Sequence, residues 1–335
     1  MNINKPSPHS QMLETIGMRS LVVFAISAAA ELKVADVIGD NICPIDELAY
    51  VTQTDANSLH RLLRALSGEG IFIEEEGGYR NSILSNTLRR DIPDSQYAWA
   101  QFMASPQVNR CFERLSWSLA TGLPIFDEIH GCSFFESLRR DPAAANRFAS
   151  AMTSMSASSL ADALDAYDFS QAGCVVDVGG GYGTFLRGIL AAHPLTSGIL
   201  FKRPEIPANA ARDETGADER LMLASGDYFD SVPRLGDTYI LRHVLRDWPD
   251  DKAIGILRNC RKAMRPDGCV LIFEHVLRPA NEHDYAKFLD LMLLAYATGR
   301  ERSIGEFGRL VDQAGLRIKR VIPAGGVHTI IEARI

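Results

Sequence analysis

No two cysteines in this sequence are spaced C-x-x-C. The six of them, Cys43, Cys111, Cys132, Cys174, Cys260 and Cys269, are scattered along 335 residues. That pattern argues against a disulfide framework or a zinc ribbon and fits reduced thiols in a cytoplasmic protein. Positive charge is also short: 35 Lys and Arg stand against 42 Asp and Glu, a formal net charge of −7. Broad neutralisation of nucleic-acid phosphate needs the opposite balance. The opening "MNINKPSPHSQML" lacks the basic-then-apolar order of a signal peptide. The most apolar segment, "LVVFAISAAAELKVADVIG", meets Glu31 and Lys33 after about ten uncharged residues, fewer than a bilayer span needs. The expectation is a cytoplasmic protein with no membrane and no nucleic-acid partner. Apolar material is not short: at 46% hydrophobic, the chain can bury real cores in about two domains.

The first third reads as short helices followed by a hairpin. "PIDELAYV" is a brief helix, and "TDANSLHRLLRALSGEG" a longer one with Asp55 as N-cap and Leu59, Leu62, Leu63 and Leu66 at helical spacing. "IFIEEEGGYRNS" offers two strands around Gly77-Gly78. Helix, helix, hairpin is the order of a winged helix, but this wing carries Glu74, Glu75 and Glu76, which would meet phosphate with like charge. The middle of the chain is helical, and "NRFASAMTSMSASSL" puts Phe148, Met152 and Met155 on one face. Such a stripe belongs to a core more often than to a pocket. The remaining half alternates strand and helix, which implies a parallel sheet wrapped by helices, with a ligand at the carboxyl ends of its strands. The division expected is 1–95, a mainly α winged-helix-like domain; 96–168, a helical linker with pocket residues; and 169–335, a Rossmann-like α/β domain.

"VVDVGGGYGTFLRGIL" is the most informative stretch. An apolar strand ends at Asp177-Val178, the glycines Gly179, Gly180, Gly181 and Gly183 follow, and a helix begins. Glycines let the backbone turn tightly and approach a ligand closely. Asp177 separates the possible ligands, because a carboxylate repels a pyrophosphate and attracts a cation. S-adenosylmethionine carries an ammonium and a sulfonium.

Several separated motifs agree in order: "AAELKVADVI", "LHRLLRALSGEGIF", "FASAMTSMS", "VVDVGGGYG", "SGDYF", "VLRDWPDDKAIGILRNC" and "GRERSIGEF". From about Met18 onward the chain resembles the class I S-adenosylmethionine-dependent O-methyltransferases of plant phenylpropanoid and bacterial natural-product pathways. The resemblance implies a winged-helix-like dimerisation domain, hence a homodimer, in front of a Rossmann-like cofactor domain. It implies that Gly179 to Gly183 cradle the methionine part, that Asp227 and Tyr228 flank the adenine, and that Arg242 matches a lysine touching the cofactor. Phe148, Met152, Met155, His243, Asp247, Met292 and Tyr296 are expected to bind the small-molecule acceptor. Phe288, Met292 and Tyr296 repeat at i, i+4, i+8 on one helix.

Two positions depart from the family pattern. An acidic residue normally closes the second strand and accepts from the ribose hydroxyls; here Lys202 stands there, followed by Arg203. Either the loop is shifted and Glu205 takes the task, or the basic pair selects a phosphorylated ligand, or the ribose bond is lost. The second departure is Arg246. Relatives that methylate a hydroxyl usually have a histidine base there, flanked by two glutamates that Glu274 and Glu301 match. A guanidinium cannot accept a proton near neutral pH. It can hold a carboxylate, phenolate or enolate, or simply close an ion cluster with Glu274 and Glu301. The expected function is methyl transfer to a small, acidic, aromatic or conjugated metabolite without a histidine base. The alternative is a family fold diverted to pericyclic cyclisation, hydroxylation or rearrangement. His243 and His275 with Asp247 or Glu274 show no tight metal-ligand spacing, so no metal is expected.

Overall fold

The computed structural model describes residues 7–92, 94–157, 160–203, 218–234, 236–325 and 328–335, without the side chains of 155–157. Glu205 and the Met155 side chain therefore lie outside the described residues. The chain forms two compact units. One comprises Met1–Asn109 with Asn146–Met155, the other Arg110–Ala145 with Ser156–Ile335.

In the first unit the helix Ala56–Gly68 begins where Asp55 accepts from the Ser58 N–H at 2.8 Å, and it buries Leu59, Leu63 and Leu66, with Leu62 half-buried. Strands β1 (Phe72–Glu75) and β2 (Gly78–Asn81) form the antiparallel hairpin, and its glutamates are exposed. Gly78 has no room for a side chain, since a Cβ there would lie 2.2 Å from the Cys43 carbonyl oxygen. The helix Pro8–Glu31 differs from expectation. It starts well before Leu21, and by length and composition it is long and apolar enough to cross a membrane, with a mean hydropathy of 1.5 over its most apolar window. Its exposed side chains include Met12, Leu13, Ile16, Leu21 and Phe24, whereas Ala29 and Ala30 are buried.

The second unit is built on one sheet. Strands β3 (Cys174–Val178), β4 (Ser197–Lys202), β5 (Leu221–Ser225), β6 (Thr238–Arg242) and β7 (Cys269–Leu277) run parallel in the order β5-β4-β3-β6-β7. The short β8 (Arg302–Ser303) pairs with β7. Beyond β7 lie β10 (His328–Arg334) and then β9 (Arg317–Pro323), both in antiparallel pairings that the alternating pattern did not reveal. Successive strand residues feed opposite cores: Val176, Val178 and Leu241 pack on one face, Val175, Ile240 and Leu271 on the other. Helices Asp250–Ala263 and Ile304–Gln313 cover the first face, and Thr184–Ala192 the second. The chain steps outward from β3 in one direction and resumes at β6 in the other. In sheets of this kind a ligand is expected at that switch point, beyond the carboxyl ends of β3 and β6.

Candidate active site

The carboxyl end of β3 carries Asp177, 1% exposed, with no hydrogen-bond partner for either side-chain oxygen among the described residues. Burial pushes its carboxyl up to about 7, with Arg242 pulling the other way. The loop that follows takes positive φ at Gly179 (80°), Gly181 (57°) and Gly183 (79°). A Cβ on Gly180 would fall 2.2 Å from an Asp177 oxygen. An orphaned carboxylate beside a glycine-rich backbone fits a small cationic ligand. Arg242 ends β6 with its guanidinium 4.6 Å over the Phe185 ring, and burial lowers its pKa to about 10.

At the end of β4 Lys202 is 3% exposed, and burial lowers its pKa. Arg203 reaches Asp227 at 3.7 Å and lies 5.8 Å over the Tyr228 ring. Arg203, Asp227 and Tyr228 therefore form one cluster. Asp227 also accepts from the Phe229 N–H at 2.9 Å.

Arg246 sits in a single 3-10 turn, Leu245–Asp247, and is 5% exposed. Its Nη2 pairs with Glu301 at 2.9 Å, and its Nη1 lies 3.2 Å from His275 Nδ1. Glu274 accepts from the backbone N–H groups of Leu245 at 3.0 Å and Arg246 at 3.3 Å. Burial, reinforced by Glu301, raises the Glu274 carboxyl well above the usual range. Burial opposes the charge on Arg246, yet the nearby Glu301 and its neighbours raise its pKa on balance. Asp247 is pushed up to about 7 by burial against the pull of Arg246.

The turn is held from outside by the "GRER" segment. A Cβ on Gly299 would lie 1.9 Å from the Arg246 carbonyl oxygen, and the Arg300 N–H donates to that oxygen at 2.8 Å. The fully buried Arg302 donates to the Leu245 carbonyl at 2.9 Å, the Trp248 carbonyl at 2.7 Å and Asp250 at 2.8 Å. Sequence reasoning missed Gly299 and Arg302, although they flank Glu301 in a motif already singled out.

The expected acceptor residues divide between the units. Phe148 and Met152 belong to the first, where the Phe148 ring lies 5.6 Å from Phe102. Met292 (3% exposed) and Tyr296 (6%) belong to the second, where the Tyr296 ring is 4.8 Å from Phe134. Phe288, expected on the same face, is 65% exposed. His243 follows β6 with φ at 52°, its N–H donating to the Phe273 carbonyl.

Residues 112–317, more than half the chain, match the O-methyltransferase domain, and residues 16–91 match the O-methyltransferase dimerisation domain. The chain belongs to the O-methyltransferase family. This family uses S-adenosylmethionine as its methyl donor. Among its members, the phenazine O-methyltransferase PhzM of Lysobacter antibioticus is 37% identical over 93% of this chain and 92% of that protein. The mitomycin biosynthesis 6-O-methyltransferase of Streptomyces lavendulae is 36% identical over 92% of this chain and 90% of its own length. The structure of CalO1, a methyltransferase in calicheamicin biosynthesis in its SAH-bound form, superposes with a TM-score of 0.89 at 30% identity, covering 99% of both chains. The O-methyltransferase fold and the dimerisation region thus account for nearly the whole chain.

Proposed function

We propose that this O-methyltransferase acts on an acidic or already nucleophilic small metabolite, with Arg246 holding negative charge where relatives carry a histidine base. S-adenosylmethionine, when bound, supplies a methyl group on a positively charged sulfur for in-line displacement by a nucleophile. The chain's own residues do the rest. Asp177 offers a carboxylate to a cationic ligand, and the Gly179–Gly183 loop lets the backbone close on it. Lys202, Asp227, Tyr228 and Arg242 border the remainder of the cofactor. Arg246, braced by Glu301 and by the turn that Arg302 pins, keeps a guanidinium ready for an anionic acceptor. His243, Asp247 and Tyr296 lie close enough to feel its charge. Positioning can supply most of the rate once the acceptor is already nucleophilic.

The observation that carries this reading is the buried Arg246–Glu301 pair at 2.9 Å on a rigid turn. Purified enzyme, S-adenosylmethionine and a panel of phenolic and carboxylic acids test it. Methylation of the acidic members with equimolar release of S-adenosylhomocysteine is expected. Turnover of any member without that release would establish the diverted chemistry, cyclisation, hydroxylation or rearrangement, in its place.

The exposed apolar residues of the Pro8–Glu31 helix lie where the dimerisation match begins, and they support a homodimer that covers them. Light scattering is expected to give twice the chain mass, and a monomer at micromolar concentration removes this assignment.

A further inference from the structure

We propose that His243, His275 and His328 form a three-histidine site for a divalent transition cation of the zinc class. The sheet assembles it. His328 opens β10 in register with His275 on β7, and the turn after β6 brings His243 across from both. Each ring can offer a nitrogen such that the three lie within 4.8 Å of one another. Ring centroids are 4.9 Å apart for His243–His275, 5.3 Å for His243–His328 and 4.8 Å for His275–His328. With bonds of about 2.0–2.1 Å at tetrahedral angles, imidazole centroids around one ion sit roughly 5 Å apart.

The unsatisfied atoms point the same way. Both ring nitrogens of His243 and the Nε2 of His328 are buried with no hydrogen-bond partner among the described residues. Imidazoles that only packed a core would find partners. Two carboxylates stand where a metal-bound histidine wants its support: Glu274 Oε2 is 3.5 Å from His243 Nδ1, and Glu301 Oε1 is 3.5 Å from His275 Nδ1. Such carboxylate–histidine pairs fix ring orientation and strengthen the ligand. His275 Nδ1 accepts from Arg246 Nη1 at 3.2 Å; with Nε2 on an ion, the ring proton would move to Nδ1 and be donated to Glu301 instead of Nδ1 accepting from Arg246. Arg246 and Arg242 both oppose a cation, but Glu301 already pairs with Arg246, Asp177 faces the charge of Arg242, and Glu274 Oε2 has no hydrogen-bond partner among the described residues. The left-handed backbone at His243 (φ 52°) is a strain that a bound ion would justify.

Three protein ligands leave a coordination position open. An ion held by these three histidines would lower the pKa of an oxygen ligand at that position, a task a guanidinium cannot perform. That consequence rests on the methyl-transfer reading; the site itself does not. The test therefore uses neither cofactor nor acceptor. Tag-free protein stripped with a chelator is titrated with Zn²⁺ and, separately, with Co²⁺. One ion per chain is expected. X-ray absorption of the zinc-loaded wild type is expected to give about three imidazole shells at roughly 2.0–2.1 Å. His328→Asn and Glu274→Gln, checked for wild-type circular dichroism, are each expected to weaken binding by at least about tenfold. No stoichiometric uptake, sulfur scatterers from the free cysteines in place of imidazole, or unchanged affinity in a folded His328→Asn overturns the site.

Discussion

At the carboxyl edge of the sheet, β3 and β7 both present a buried acid, but their surroundings are opposite. Asp177 on β3 stands with both oxygens unsatisfied among the described residues, beside a loop with glycine at four of its five positions. Glu274 on β7 is one of a crowd: two backbone N–H groups, His243, and the Arg246–Glu301 pair lie around it. The first acid waits for charge from outside. The second belongs to a network that carries its own. One acid has no hydrogen-bond partner of its own among the described residues and the other already sits among paired charges, and this contrast has measurable consequences.

The largest lies in the network. Glu301→Ala leaves the Arg246 guanidinium buried without its ion-pair partner, and breaking a buried pair in this way costs about 3–5 kcal/mol. A marked drop in melting temperature is expected. Glu75→Ala in the exposed hairpin removes the pair with Arg80 and should cost no more than about 1 kcal/mol. Equal losses in the two variants would mean that Glu301 behaves as a surface charge and that Arg302 alone holds the turn.

The next consequence lies on the cofactor side. Lys202 ends β4 almost wholly buried, and we place it where related enzymes carry an acid for the ribose hydroxyls. Lys202→Asp restores a charge-assisted hydrogen bond worth about 1.5–3 kcal/mol. Calorimetry is expected to show S-adenosylmethionine bound roughly ten- to a hundredfold more tightly. An unchanged Kd would assign the ribose to another residue.

The same two regions differ in how far they can be read from sequence. The cofactor side is a continuous motif, strand then glycines then helix, so Asp177 and its loop announce themselves by spacing alone. The hairpin and the Asp55 cap are local in the same sense. The surroundings of Arg246 come from distant segments, and only residues inside a familiar motif were legible there, Arg246, Glu274 and Glu301 among them. Arg302 looked like one more surface cation, yet it is fully buried against backbone carbonyls. His328 gave no signal, because its neighbours are set by the antiparallel pairing of β10 on β7, and a parallel βα pattern says nothing about an added antiparallel edge. The Pro8–Glu31 helix was underestimated for another reason. Counting uncharged residues stops at the first charge, whereas a helix continues through isolated ones.

The smallest effect concerns pH and the lone acid. The Asp177 carboxyl is raised from an ordinary 3.8 to about 7 by burial. A carboxyl raised on folding is bound to its proton in the folded chain while the unfolded chain has released it. Its contribution to stability is therefore present below about pH 4 and is lost as pH rises towards 7, flattening beyond. Binding a cationic cofactor needs the ionised form, so affinity moves in the opposite sense. From pH 5.5 to 7 the Kd of S-adenosylmethionine is expected to fall by up to about tenfold per pH unit, levelling near 7. The amino group of the ligand, with a pKa near 8, ends the plateau on the alkaline side. Asp177→Asn removes the acid limb and weakens binding at pH 7.5 while leaving the folded chain less sensitive to pH. Calorimetric titration of both proteins across this range decides it. A wild-type Kd that is flat between pH 5.5 and 7 would mean that Asp177 stays ionised in the free enzyme, and that the carboxylate is not waiting for charge from outside.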